Sequence, residues 1–264
     1  MKSKTCKAVI ALLAAAVFLI AGAGQSTVLK TGEMKTEKQS VEVGQAKSAD
    51  ISLSLETGSL KLHGGAANLM DAVFTYNVPE WKPAVSYEVK DGVGKLSVTE
   101  PKTDGRVKGK AKNEWDIGLK NGFPLDLEVN LTTGSGEIDL GGLCLSSFEL
   151  NQVTGNANVR LCDHPNVANL DLNCVTGSID ADMSGKWQHN MQGSISVVTG
   201  GVSIRLPRDI GVRVSVSKVT GNVDTGGLIK QNGYYINEAY GKSDVTLSLD
   251  ASVVTGNITL IQSK

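Results

Sequence analysis

Three carboxylates at nearly equal intervals are the first residues with chemistry to offer. Glu128, Glu149 and Asp171 stand 21 and 22 residues apart, and two positions after each comes an amide: Asn130, Asn151 and Asn173. If the chain folds back on itself at that interval, the acids form one column with like charges on neighbouring strands. Carboxylate and amide oxygens are the ligands Ca²⁺ prefers, so the column is a candidate calcium site. The competing expectation is a solvated face, its charges screened and its amides bonded to one another as a ladder. No nine-residue Gly- and Asp-rich calcium repeat is present.

The remaining reactive side chains converge less. His63, His164 and His189 show no metal-ligand spacing. Nucleophile elbow, phosphate loop and paired catalytic acids are all missing, so the reading is non-enzymatic, with no cofactor apart from the calcium candidate. Asp139, Arg160, Asp182 and Arg205 recur with alternating sign and predict an ion ladder across the repeats. Tyr234, Tyr235 and Tyr240 lie in an insertion spanning 228–242, which is either a contact surface or a lid. Lys102, Arg106, Lys108, Lys110 and Lys112 crowd into residues 101–113. That run is either a site for an anionic polymer or a solvated hairpin tip. Cys144 and Cys162 fall one repeat apart, where a disulfide and buried thiols are the alternatives; Cys174 lies near a corner.

The element that positions all of these is a returning dipeptide. Thr-Gly occurs as Thr57-Gly58, Thr133-Gly134, Thr154-Gly155, Thr176-Gly177, Thr199-Gly200, Thr220-Gly221 and Thr255-Gly256. From Gly134 to Gly221 the steps are 21, 22, 23 and 21 residues. A fixed period of this length marks stacked coils. Apolar residues fill alternate positions on both sides of each glycine: Leu127, Val129, Gly136 and Ile138 in one repeat, Phe148, Leu150, Ala157 and Val159 in the next. Polar residues fill the gaps, so each repeat predicts strand, Thr-Gly corner, strand and return loop, with one face buried. The fold class is all-β: a single-stranded parallel β-solenoid with coils of about 22 residues, preceded by an N-terminal β-rich portion. The final step, Gly221 to Gly256, is 35 residues and breaks the period.

In order along the chain, residues 1–23 read as a secretory signal. Lys2, Lys4 and Lys7 precede the apolar run Ala8–Ile20, and Ala21-Gly22-Ala23 follows it. The expectation is export with Gly24 as the new N-terminus; a retained anchor is the alternative. Removing three lysines leaves 23 basic against 27 acidic side chains, a net charge of −4 that argues against a nucleic-acid partner. Residues 24–48 read as a polar leader, 49–122 as the N-terminal β portion and 123–264 as the regular coils. Within 49–122, Ala66–Met70 suggests a helical turn, and Ala72–Tyr76, Ala84–Val89 and Lys95–Val98 suggest a meander.

These segments carry a resemblance. Ser59-Leu60-Lys61-Leu62-His63-Gly64-Gly65-Ala66, Pro83-Ala84-Val85-Ser86-Tyr87, Trp115-Asp116-Ile117-Gly118-Leu119 and Pro124-Leu125-Asp126-Leu127-Glu128-Val129, together with the glycine corners, resemble the bacterial toast-rack family. The chain is also similar to the C-terminal domain of cell-wall-stress response membrane proteins and to adhesin-like solenoids of unknown function. It departs from them at the corner, where Thr-Gly-Ser or Thr-Gly-Asn stands in place of Gly-Ala-Gly. The resemblance implies an extracytoplasmic β-solenoid and transfers no catalytic residues. The expected function is an exported adhesin-like module of the cell envelope or surface, contacting an envelope protein or polysaccharide, with no transmembrane span in the mature chain. A sensory domain of an envelope stress system and a glycan-active enzyme are the alternatives.

Overall fold

The computed structural model describes residues 27–103, 105–162 and 166–263. The signal-like segment 1–23 and His164 lie outside them. Strands in the first part are β1 (Thr27–Lys30), β2 (Lys35–Val41), β3 (Ser48–Gly64), β4 (Met70–Tyr76), β5 (Ala84–Lys90), β6 (Val93–Thr99), β7 (Gly105–Lys108) and β8 (Asn113–Leu119). The second part adds β9 (Pro124–Asp139), β10 (Cys144–Arg160), β11 (Asn166–Asp182), β12 (Met191–Leu206), β13 (Gly211–Thr220), β14 (Val223–Asp224), β15 (Ile229–Gln231), β16 (Tyr234–Ile236) and β17 (Thr246–Gln262). One sheet of 15 strands holds all but β1 and β7, which form a separate pair.

The centre of the molecule is a parallel stack in the order β3, β9, β10, β11, β12, β17, β13. Every Thr-Gly pair lies in register with its neighbour: Gly58 with Gly134, Gly134 with Gly155, Gly155 with Gly177, Gly177 with Gly200, Gly200 with Gly256. The predicted strand–corner–strand unit is a single strand of 16 or 17 residues that bends at its glycine, whose φ lies between +129° and +150°. One positive-φ residue turns the chain without ending the hydrogen-bonded ladder, a conformation that glycine adopts freely. Inward positions on both limbs are buried, as the alternation predicts: Leu127, Val129, Phe148, Leu150, Leu170, Leu172, Ile179, Ile195, Val202 and Ile204 belong to one continuous core.

Four expectations from the sequence differ from the structure. The Thr220 repeat does not follow the Thr199 repeat in space, because β17 inserts between β12 and β13. The reason lies three residues before each glycine, where Leu55, Leu131, Gln152, Cys174, Val197 and Val253 point inward and are buried. At that position β13 carries Lys218, which is exposed, and four residues after its glycine it has Thr225 where other strands have Ile138, Val159, Ala181, Ile204 or Leu260. A lysine at an inward column is tolerated only at the end of a stack, where it can reach water. The proposed meander is likewise not continuous: β5 and β6 form an antiparallel hairpin, whereas β4 lies between β2 and β8. Ala66–Met70 holds bends at residues 67–69 rather than a helical turn. Within 24–48, read as a leader, β1 and β2 both pair with other strands.

Both ends of the stack are plugged. Next to β3, the strands β6 and β8 share the edge: β6 pairs with residues before Thr57 and β8 with residues after it. Glu100 and Asn113 fill the gap at the corner. Glu100 Oε2 accepts the backbone N–H groups of Glu56 and Thr57 (3.0 Å each) and Asn113 Nδ2 (3.1 Å), so a carboxyl replaces a missing strand. At the other end the hairpin β15–β16 lies on β13.

Candidate functional site

Two outward faces and one outward ridge follow from stacking identical repeats. Side chains at the same offset from each glycine stand about 4.8 Å apart on successive strands, so any repeated residue type becomes a row.

The limb before the glycine carries the predicted acidic column. Glu128, Glu149 and Asp171 are in register on β9, β10 and β11 and all are exposed. The amides do form a ladder: Asn151 Nδ2 donates to Asn130 Oδ1 and Asn173 Nδ2 to Asn151 Oδ1, each at 3.2 Å. The same amides reach sideways, Asn130 to Glu128 Oε1 (2.9 Å), Asn151 to Glu149 Oε1 (2.8 Å) and Asn173 to Asp171 Oδ1 (3.3 Å). One oxygen of each carboxylate is therefore committed and the other faces solvent. Beside the column, a depression of about 480 Å³ is lined by Asp50, Glu88, Lys95, Asp126, Glu128 and Glu149. Among the described residues no three His, Cys, Asp or Glu side chains are grouped to hold a metal ion by themselves.

The limb after the glycine carries the charge-alternating column. Arg205 Nε lies 3.5 Å from Asp182 Oδ2, which is the ion pair the column forms among the described residues. Asp182 Oδ1 also accepts the Ser184 hydroxyl (2.6 Å) and amide (3.1 Å), and Asp139 Oδ1 accepts the Gly141 amide (3.0 Å). The acids thus turn the chain at the strand ends as much as they bridge strands. Exposed pairs of this kind contribute about 0–1 kcal/mol. A depression of about 570 Å³ over this limb is lined by Lys61, Glu137, Arg160, Asp180 and Arg205.

Between the limbs runs a row that the sequence reading passed over. Val153, Val175, Val198, Val254 and Val219 each precede a Thr-Gly pair, and the register places them on five consecutive strands at the outer corner. Val153 is 44% exposed and Val219 75%. The signal was present as a fivefold Val-Thr-Gly, but reading Thr-Gly alone left the valine out. The corner thus presents a ridge of valines edged by Thr154, Thr176, Thr199, Thr255 and Thr220, all exposed.

The tyrosines belong to the end plug and are half-buried. The Arg213 guanidinium sits 4.7 Å from the Tyr234 ring centre, and Lys230 lies 5.6 Å from that of Tyr235. Buried Asn237 ties the plug down: it accepts from the Val212 amide (2.9 Å) and donates to the carbonyls of Ile210 (2.7 Å) and Pro207 (3.3 Å). Tyr240 follows directly, its amide donating to Asn237 O (3.3 Å). Neither Cys162 nor Cys174 forms a disulfide. Burial pushes the Cys174 thiol up to about 11, which makes it a poor nucleophile.

Beside Cys174, the corner column holds a polar residue in an apolar place. Gln152 is buried, its Nε2 donates to Gly134 O (3.0 Å), and its Oε1 has no partner. At the same offset Val197 and Val253 manage without such a bond. Gln152→Leu is therefore expected to raise stability by roughly 1–2 kcal/mol, because it removes an unpaired buried acceptor beside Leu131. Chemical denaturation of the two proteins checks this, and a less stable variant would mean that the Gly134 bond outweighs the orphaned oxygen.

Comparison with known proteins adds to this geometry. A solved structure from Clostridium sporogenes, described as a candidate cell adhesion protein, is 29% identical with a TM-score of 0.68, and the match covers 88% of this chain and 100% of that one. Candidate adhesins from Bacteroides fragilis (12% identity, TM-score 0.34, 88% and 100% coverage) and Parabacteroides distasonis (14%, 0.34, 89% and 100%) are more distant. No curated protein matches. The model for the N-terminal domain of toast_rack, DUF2154, matches residues 30–166, which is 137 of 264 residues. The chain is all-β, has a large, mostly parallel sheet and belongs to the toast-rack family.

Proposed function

We propose that this chain is an exported, non-enzymatic, adhesin-like module of the cell envelope, built as a β-solenoid with coils of about 22 residues. The observation that carries the reading is the valine–threonine ridge. Five valines in one row along the corner, exposed at Val153 and Val219 and half-buried at Val175, Val198 and Val254, form an apolar line on the stack that a packed partner would cover. Polar columns on both sides supply the hydrogen-bonding rim that an interaction surface needs. The 29% identical structure described as a candidate cell adhesion protein supports the same assignment.

In this reading an envelope polysaccharide or protein lies along the ridge. The acidic limb beside it is where Ca²⁺ would bind, through the second oxygens of Glu128, Glu149 and Asp171. The test is retention of the purified chain on cell-envelope polysaccharide, with and without calcium. A triple variant (Val153→Ser, Val175→Ser, Val198→Ser) is expected to keep its fold and to lose roughly tenfold or more in retention. Calcium dependence that Glu149→Gln abolishes assigns the column to the same surface. Retention unchanged in the triple variant removes the ridge as the contact.

A further inference from the structure

At the N-terminal end of the molecule, β1 and β7 form a parallel ribbon apart from the main sheet, with Val28 beside Arg106, Leu29 beside Val107 and Lys30 beside Lys108. Its two faces differ completely. Leu29 and Val107 pack on Val78 and Trp81 as a small second core. Lys30, Arg106 and Lys108 point the other way and are exposed, with Val28 among them at 57%.

The ribbon is built rather than loose. Buried Asn77 accepts the Lys112 amide through Oδ1 (2.7 Å), donates from Nδ2 to Lys110 O (2.8 Å), and accepts the Gly32 amide on its own carbonyl (2.7 Å). Trp81 Nε1 donates to Thr103 Oγ1 (3.4 Å). Held this way, two lysines sit directly opposite each other across a strand pair, an arrangement that destabilises the free protein.

The charges around it are one-sided. Lys82 pairs with Glu37 (3.1 Å) and Lys112 with Glu114 (2.9 Å), but Lys30, Lys102, Arg106, Lys108 and Lys110 make no ion pair among the described residues. Residues 101–112 hold five cations against Asp104, a net +4 in a chain whose total is −1.

We propose that the outward face of this ribbon docks on an anionic phospholipid surface. Two observations select a bilayer over a soluble polyanion. The apolar run ends at Ile20, only seven residues before β1 begins at Thr27. Seven residues span about 25 Å at most, so while the run is still attached the bilayer that holds it lies close to the ribbon. Val28 lies beside Arg106 on the cationic face, and a lipid interface accepts an apolar side chain that a water-soluble chain of phosphates does not. The charge argument holds equally for the chain beginning at Gly24. This surface is at the opposite end from the β13 edge of the corner ridge and does not depend on it.

The test is co-sedimentation of the chain from Gly24 onward with vesicles of phosphatidylglycerol and phosphatidylcholine, or of phosphatidylcholine alone, at low and high salt. The first strand begins at Thr27, so the shortened chain keeps every described strand and is a fair probe. Binding is expected to anionic vesicles only and to weaken with salt. Lys30→Ala with Lys108→Ala removes a repulsion and so stays folded; at roughly fivefold per cation it should bind about 25-fold more weakly. Lys218→Glu, at the far end of the stack, should bind like wild type. No preference for anionic vesicles, or equal losses in both variants, overturns the proposal. Binding to soluble poly(glycerol phosphate) without binding to vesicles overturns it in favour of a polymer.

Discussion

Gly177→Ala is expected to lower stability by roughly 3–5 kcal/mol and the melting temperature by about 10 °C. Two costs add at this position. The glycine has φ +140°, which an alanine adopts only with strain. A Cβ there would also overlap the carbonyl oxygen of Gly155 and lie 2.7 Å from its carbon. That obstacle is backbone in the middle of a ladder and cannot rotate away. The glycine column therefore allows the bent strands to stack so closely, and each member is needed because the next one is there. Gly122 is the control, with φ +65° and nothing within 4 Å of an added Cβ. Gly122→Ala should cost about 1 kcal/mol, from strain alone. Thermal unfolding by circular dichroism separates the two, and equal melting temperatures would show that the close approach relaxes at little cost.

The second large effect is on pH dependence. Burial pushes the Glu100 carboxyl up from 4.5 to about 7, against the amides of Thr57 and Glu56 and the side chain of Asn113, which favour the charged form; the nearby charge of Glu56 adds to the rise. All three hydrogen bonds go to Oε2, so the neutral acid keeps them with a proton on Oε1. The folded protein thus holds this proton more tightly than the unfolded chain does. The resulting stability is complete below pH 4.5, declines as pH rises toward 7 and is absent above it. Its size is on the order of 3 kcal/mol. Glu100→Gln keeps the shape and the acceptor without the charge. Near pH 8 the variant should be the more stable protein by that order, and near pH 4 the two should agree. Comparing the pair cancels groups that titrate alike in both, such as Asp71, whose hydrogen bonds to Asn68 and Ser40 hold it down to about 2. Parallel stability curves from pH 4 to pH 8 would mean that Glu100 is ionised throughout.

These two residues show unequal legibility. The glycine column was open to reading because its signal is local: one dipeptide, a fixed step, and alternation on both sides. Glu100 gave no such signal, since its burial depends on β6 and β8 meeting opposite Thr57, a junction between segments 44 and 56 residues apart. The acidic column and its amide ladder were readable for the same reason as the glycines. The tyrosines were found, but whether they formed a lid depended on where β13 lay. Lys218 was the clue to that, visible as a lysine in a column otherwise free of charge.

By itself the sequence determined strand content, the bend, the inward and outward faces and the columns, because each follows from sterics and burial within one repeat. Only the tertiary structure decided which repeat neighbours which. Seven strands carry the same Thr-Gly register, so local pattern ranks no pairing above another. The order of β12, β17 and β13 was settled by which strand could be buried on both sides. The β1–β7 ribbon likewise joins residues 78 apart, Thr27 to Gly105, through the small core beneath it. Its opposed lysines became a candidate surface only once that pairing had turned them outward together.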